Sequence, residues 1–219
     1  MLKQRSRLRG IRWHWVVGLL LLVALGAVGQ QAVGTLGGEY ASGRISYRAS
    51  GLGGSSGPTV KLDVTGRRAG TVQLTVPSGT MLSAGGAAQG MVISGVLGRF
   101  NGSGDSGLGG GAVSYVPEPV ITVHGREKVT YLLEGYCAEF EKDNPSTDTR
   151  FSVKGYDQTL ARVLRLSKQR GLSVRATQVA VWLITDHIDR DQLEGKFPVT
   201  DAEWSQAKKV VSAARAGRG

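Results

Sequence analysis

The chain has 219 residues, of which 41% are hydrophobic and 20% are charged, and its formal net charge is +10. This balance is typical of a globular protein long enough to bury a core. Five of the positive charges lie within the first twelve residues and the other Lys and Arg are scattered, which argues against a nucleic-acid-binding surface. Thirty-three glycines against six prolines predict many turns and short strands.

The chain begins with a predicted targeting segment. Residues 1–12 are basic, residues 13–28 are nearly all apolar, and small residues precede Gln30 at the positions that a signal peptidase reads. This pattern predicts a secretory signal over residues 1–29, or an N-terminal anchor if the segment is not cleaved. The apolar run is shorter than the ~20 residues that span a bilayer, which favours the signal. We therefore expect an extracytoplasmic protein, secreted or at the cell surface, that meets a membrane only through this segment.

The next part of the chain has the alternation of short strands. Residues 30–58 form a Gly- and Ser-rich lead-in with a possible first strand at 44–49. Apolar residues alternate at 60–64 and again at 72–76, which predicts two half-buried strands joined as a hairpin by the glycine-rich residues 66–70. Further strands are predicted at residues 91–97, 120–123 and 129–140. The glycines of residues 101–111 predict a loop.

The periodicity then changes to that of helices. Residues 159–170 show apolar positions on one helical face. Ser173 is a candidate N-cap for a second helix that is apolar nearly all round, so we expect this helix to be buried. Thr200 and Glu203 match the capping box of a third helix.

These elements predict an α+β fold. An N-terminal antiparallel β-sandwich or barrel is expected over residues 59–155, and this part carries Cys137. A C-terminal helical part is expected over residues 156–212, and it carries Gln178. Residues 213–219 are predicted to form a tail.

Cys137 is the only cysteine in the chain. An exported protein usually pairs its cysteines, and this one has no internal partner. Three interpretations remain open: an inert buried thiol, an intermolecular disulfide or a reactive sulfur.

Gln178 lies in the middle of the predicted buried helix. Val181 and Trp182 share its face, so its side chain is predicted to point to the core, where an amide needs hydrogen-bonding partners. One interpretation is that the amide binds strand backbone and so joins helix to sheet. The other interpretation is that the thiolate of Cys137 displaces ammonia from the amide and leaves an internal thioester.

Such a thioester would be an activated acyl group. Tyr131, Tyr136 and Trp182 are candidates to shield it from water until an amine or hydroxyl arrives. Transfer of the acyl group to that nucleophile would form a lasting covalent link.

Two segments resemble the signature segments of bacterial thioester domains. They are Tyr136-Cys-Ala-Glu-Phe140 and Thr177-Gln-Val-Ala-Val-Trp182. The resemblance covers roughly residues 129–186, and in that family a surface protein carries a Cys–Gln thioester that bonds covalently to a target.

The resemblance implies that Cys137 and Gln178 are the bond-forming pair, with Tyr136, Thr177 and Trp182 as neighbours. It implies covalent attachment in a single turnover rather than enzymatic turnover, with no cofactor and no metal. The expected partner is a surface protein, or another amine or hydroxyl nucleophile on a cell or matrix.

Two alternatives belong to other functional classes. The first is a structural or envelope protein in which Cys137 and Gln178 only pack. The second is a cysteine hydrolase that uses Cys137 with His187 or His124 as its base.

Overall fold

The computed structural model describes residues 32–100 and 115–217. The predicted signal segment and the predicted loop at residues 101–111 lie outside the described residues. Within the described part, no helix is both long and apolar enough to cross a bilayer.

Ten strands form two sheets in the described chain. Their bounds are β1 Gly34–Thr35, β2 Ile45–Gly51, β3 Ser56–Gly66, β4 Thr71–Thr75, β5 Thr80–Ala84, β6 Met91–Phe100, β7 Tyr115–Pro117, β8 Ile121–His124, β9 Lys128–Cys137 and β10 Arg150–Tyr156. Six of the strands pair in the order β5, β10, β2, β3, β9 and β6, and β6 pairs again with β5, so they close an antiparallel barrel. Closure removes the exposed strand edges of an open sheet. The predicted α+β fold with an antiparallel β part is confirmed, and that part is a barrel.

The second sheet contains β1, β4 and β8. The predicted hairpin between residues 60–64 and 72–76 is wrong, because β3 pairs with β2 and β9 while β4 pairs with β8 and β1. Alternation indicates that one face of a strand is buried, but it does not indicate which strand pairs with it. In β4 the alternation reflects burial of Leu74, which is fully buried in the core.

The lead-in at residues 30–58 contributes to the core. The possible first strand at 44–49 is confirmed as β2, and a short helix, α1 (Leu36–Ala41), precedes it. Leu36 and Ile45 are both buried in the main hydrophobic cluster.

Three longer helices follow the barrel: α2 (Gln158–Gln169), α3 (Val174–Thr185) and α4 (Asp201–Ala216). The predicted caps are confirmed, because Ser173 caps α3 and Thr200 forms the capping box of α4. The tail predicted from residue 213 is wrong, since α4 continues to Ala216. Ala214 is only 1% exposed, and its packing against the core sustains the last turn.

Helix α3 contacts the barrel strands β3 and β9 and both of the other long helices, α2 and α4. All seven residues from 176 to 182 are buried, as the apolar pattern predicts. Val174, which one helical turn places on the face of Gln178, is 47% exposed because it begins the helix. The buried centre of α3 therefore presents Gln178 to the barrel.

Candidate functional site

The structure brings Cys137 and Gln178 into direct contact. Cys137 is the last residue of β9, and Gln178 lies in the middle of α3. The backbone N–H of Cys137 donates to Oε1 of Gln178 at 2.9 Å, and Nε2 of Gln178 donates to the Cys137 carbonyl at 2.8 Å. Both residues have zero exposed surface. Both polar atoms of the Gln178 amide are thus hydrogen-bonded to the backbone of Cys137.

This contact continues the pairing of β9 where β3 begins. The ladder between these strands ends with Ser56 opposite Tyr136. One residue further, the N–H of Cys137 is shared between the Ser55 carbonyl, at 2.8 Å, and Gln178. Buried backbone groups need partners. The Gln178 amide therefore takes the place of another strand residue and joins α3 to the barrel.

The sulfur of Cys137 lies in the interior at the end of β9. Its Sγ is 3.7 Å from Sδ of Met91 and 4.0 Å from Oδ1 of Asn144. Burial raises the pKa of the Cys137 thiol to about 12, and the negative charge of Glu139 adds to this effect. The thiol is therefore neutral at physiological pH.

Glu139 is held as an anion beside this site. Burial acts to raise the pKa of its carboxyl, but hydrogen bonds from Lys142 and from the Gly90 backbone N–H hold the pKa below its ordinary value. The Gly90 N–H donates to Oε2 of Glu139 at 2.8 Å. This bond fixes the loop before β6 against the end of β9.

A surface cleft of about 290 Å³ lies next to the sulfur, and we call it the aromatic cleft. Its lining residues are Ser55, Gln89, Phe140, Glu141, Lys142, Asp143, Asn144, Trp182, Lys196 and Phe197. The Trp182 ring meets those of Phe140 and Phe197 edge to face, with both centroid distances at 4.9 Å. Such pairs favour a fixed arrangement of the rings. Trp182, predicted as a neighbour of the pair, therefore belongs to the wall of this cleft.

Asn144 separates the aromatic cleft from the sulfur. Asn144 is solvent-exposed, yet its Oδ1 contacts Sγ of Cys137 and accepts a hydrogen bond from Nε2 of Gln89 at 3.1 Å. The buried thiol therefore contacts a residue that lines the aromatic cleft.

The two tyrosines predicted to shield the sulfur lie elsewhere. Neighbouring residues of a strand point to opposite faces, so Tyr136 lies on the other face of β9 from Cys137. It packs with Leu160 and Val181 in a second hydrophobic cluster, and its hydroxyl donates to Glu134. Tyr131 is fully buried earlier on β9, well before the end of the strand at Cys137, and its hydroxyl accepts from the backbone N–H of Thr122. The shielding role predicted for Tyr131 and Tyr136 is therefore wrong.

Thr177 serves the helix itself. Its hydroxyl donates to the Ser173 carbonyl at 3.0 Å, a bond within the first turns of α3. It is 5% exposed, and its side chain also interacts with that of Tyr136.

The two histidines considered as catalytic bases make their hydrogen bonds with residues other than Cys137. His124 is exposed and pairs with Thr71, and His187 is exposed with its ring near the Leu183 carbonyl. A cysteine hydrolase needs a base in hydrogen-bond reach of its nucleophile. In the described parts of the chain, neither histidine is hydrogen-bonded to Cys137.

Three residues at the site were missed from the sequence: Met91, Gln89 and Asn144. Met91 stood in a predicted strand, but its place opposite Cys137 depends on the pairing of β6 with β9. Gln89 and Asn144 lie in irregular segments, where no periodicity indicates which way a side chain points.

No protein-family model, curated protein or solved structure matches the chain.

We expect the hydrogen bonds of Gln178 to stabilise the fold without any covalent bond. In a Cys137→Ala background, which keeps the backbone groups, Gln178→Met should lower the free energy of unfolding by about 1–3 kcal/mol because the Cys137 carbonyl loses its partner. Chemical denaturation measures this value. Gln169→Met, at an exposed helical glutamine, is the matched control and should change it by less than about 0.5 kcal/mol. Equal effects at the two positions would contradict the assignment.

Proposed function

We propose that the protein forms an internal thioester between Cys137 and Gln178 and uses it to attach covalently to a nucleophile on a target surface. One observation carries the proposal: two residues 41 positions apart meet with the Gln178 amide held against Cys137. The resemblance of the two segments to bacterial thioester domains agrees with it.

The chemistry needs no external reagent. The Cys137 sulfur adds to the side-chain carbonyl carbon of Gln178, an S–C bond forms, and the C–N bond of the amide breaks. The thiol proton leaves with the amide nitrogen as ammonia. An amine from the target then adds to the same carbon, an amide bond replaces the thioester, and the sulfur regains a proton as the free thiol.

The hydrogen bonds of Gln178 favour this addition. The Cys137 N–H lies 2.9 Å from Oε1, within the range of donors that stabilise a developing oxyanion. In a strand the side chain stands out of the plane of the N–H and C=O groups. The proposed addition therefore requires Sγ of Cys137 to reach the Gln178 carbonyl carbon from outside that plane.

The neutral thiol opposes the reaction, and the small ionised fraction of the thiol has to be compared with the gain in rate from orientation. A pKa of about 12 leaves roughly 10⁻⁵ of the thiol ionised at pH 7. Well-oriented intramolecular reactions have effective molarities of about 10⁵–10⁸ M, which offsets this deficit. The burial that slows acylation also keeps water from the product.

Transfer to an added amine tests the proposal. We expect methylamine to join the protein at Gln178, with one thiol appearing per adduct, as peptide mapping and thiol titration measure. Cys137→Ala and Gln178→Met should each abolish the adduct, whereas Gln169→Met should keep it. An adduct in Cys137→Ala or Gln178→Met, or no adduct in the wild type, would contradict the proposal.

A second candidate function is structural. Both polar atoms of the Gln178 amide are already paired and the thiol is neutral, which favours a fixed connection between α3 and the barrel in an envelope protein. This candidate predicts a free thiol in the purified protein. It also predicts that methylamine adds nothing.

A further inference from the structure

Three exposed arginines lie on two adjacent turns at one end of the barrel. Arg67 and Arg68 lie on the turn between β3 and β4, and Arg126 lies on the turn between β8 and β9. The backbone N–H of Gly125 donates to the Gly70 carbonyl at 2.6 Å, which holds the two turns side by side. We call residues 67–70 and 125–127 the arginine turns.

Most of the carboxylates near the arginine turns are paired with other cations. Asp63 pairs with Lys128 at 2.9 Å, and the buried Glu39 pairs with Arg44. Glu127 is the one carboxylate in the sequence of the turns, and it accepts a backbone N–H at 2.8 Å. Within the described ranges, none of the three arginines makes an ion pair. The turns therefore carry three positive charges against one negative charge.

The described chain enters the fold at the same end of the barrel. Strand β1 is parallel to β4, with Gly34 opposite Leu74 and Thr35 opposite Thr75. Because β4 runs away from the first arginine turn, β1 does so too, and the chain reaches Gly34 from the side of that turn. The predicted apolar run ends at residue 28, and the six residues from there to Gly34 span at most about 20 Å. If the run is retained as an anchor, this length keeps the start of β1 near the membrane surface.

The candidate thioester site lies at the other end of the same barrel. Strand β9 begins at Lys128, next to the second arginine turn, and ends at Cys137. A strand of this length covers about 30 Å. A lipid surface at the arginine turns thus leaves Cys137 on the side away from the lipid, where a target approaches.

We propose that the arginine turns dock the barrel on an anionic lipid surface in the chain that retains its N-terminal segment. The guanidinium groups bind phosphate groups of the lipid heads, because the planar donors of arginine match phosphate oxygens. Each basic residue near an anionic membrane strengthens binding about fivefold, so three arginines contribute about 100-fold. The barrel itself then meets the lipid, in addition to the N-terminal segment. This docking does not depend on the thioester.

Partition of the full chain into lipid vesicles tests the docking. One set of vesicles is pure phosphatidylcholine, and the other is an equimolar mixture of phosphatidylcholine and phosphatidylglycerol. The ratio of the two partition coefficients is the anionic preference, in which the insertion of the apolar segment cancels. We expect Arg67→Gln/Arg68→Gln/Arg126→Gln to lower this preference about 100-fold relative to the wild type.

A matched variant separates docking through these turns from a general effect of net charge. Arg165→Gln/Lys168→Gln/Arg170→Gln removes the same charge from exposed positions on α2 and just after it, and α2 packs on β6, α3 and α4. This variant should keep most of the wild-type preference. Equal losses in the two triple variants, or no anionic preference in the wild type, would overturn the proposal. Weaker binding of soluble polyphosphate with unchanged vesicle partition would also overturn it, because the turns would then bind a soluble polyanion.

Discussion

The thiol of Cys137 in the unacylated protein is expected to react with a thiol reagent at least about 1,000-fold more slowly at pH 8 than the same thiol in the unfolded chain. Burial raises its pKa from the ordinary 9.0 to about 12, and the thiolate is the reacting species. Three pKa units correspond to about 10³ in the ionised fraction. Gln178→Met provides the free thiol for this experiment, because it cannot form the thioester.

The pH dependence of this reaction separates burial from other causes. In folded Gln178→Met, the rate should rise about tenfold per pH unit and continue to rise above pH 9, whereas the rate in the denatured chain should level off near that pH. Stopped reactions with mass readout measure both rates. A folded rate within a few-fold of the denatured rate would contradict the neutral buried thiol.

The same raised pKa predicts a loss of stability at alkaline pH. Between pH 9 and 12 the folded state keeps the thiol proton while the unfolded state has lost it, so stability falls as pH rises. The contribution is fully present below pH 9 and falls by about 1.4 kcal/mol per pH unit, to a total of about 4 kcal/mol.

Paired variants isolate this contribution from the tyrosines and lysines that titrate in the same range. The free energy of unfolding of Gln178→Met minus that of Cys137→Ala/Gln178→Met should show the full decline. A flat difference would disprove the pKa assignment. The difference between wild type and Cys137→Ala should be flat if the wild-type sulfur is acylated, because an acylated sulfur has no proton to lose.

The sequence predicts which strands exist better than it predicts which strands pair. Alternation identifies β3 and β4, yet their pairing as a hairpin is wrong because each finds its partners far along the chain. The register between distant strands depends on the whole core, which short-range patterns do not contain. The helices were predicted more completely, since the caps at Ser173 and Thr200 are local features.

The candidate site divides in the same way. The helical period placed Gln178 toward the core, and the meeting with Cys137 followed from the paired segments. The alternation of β9 already separates Tyr136 from Cys137, although proximity in sequence suggested that they act together. The approach of Asn144 to the sulfur depends on an irregular segment, so the sequence offered no sign of it.

The intact mass of the purified wild-type protein tests the central proposal most directly. The predicted result is a wild-type mass lower than that of the sequence by one ammonia, with no titratable thiol. Cys137→Ala is predicted to have the full mass calculated for its own sequence. A wild-type mass equal to that of the sequence, together with one free thiol, would contradict the thioester and leave Gln178 as a hydrogen-bonded connection between helix and barrel.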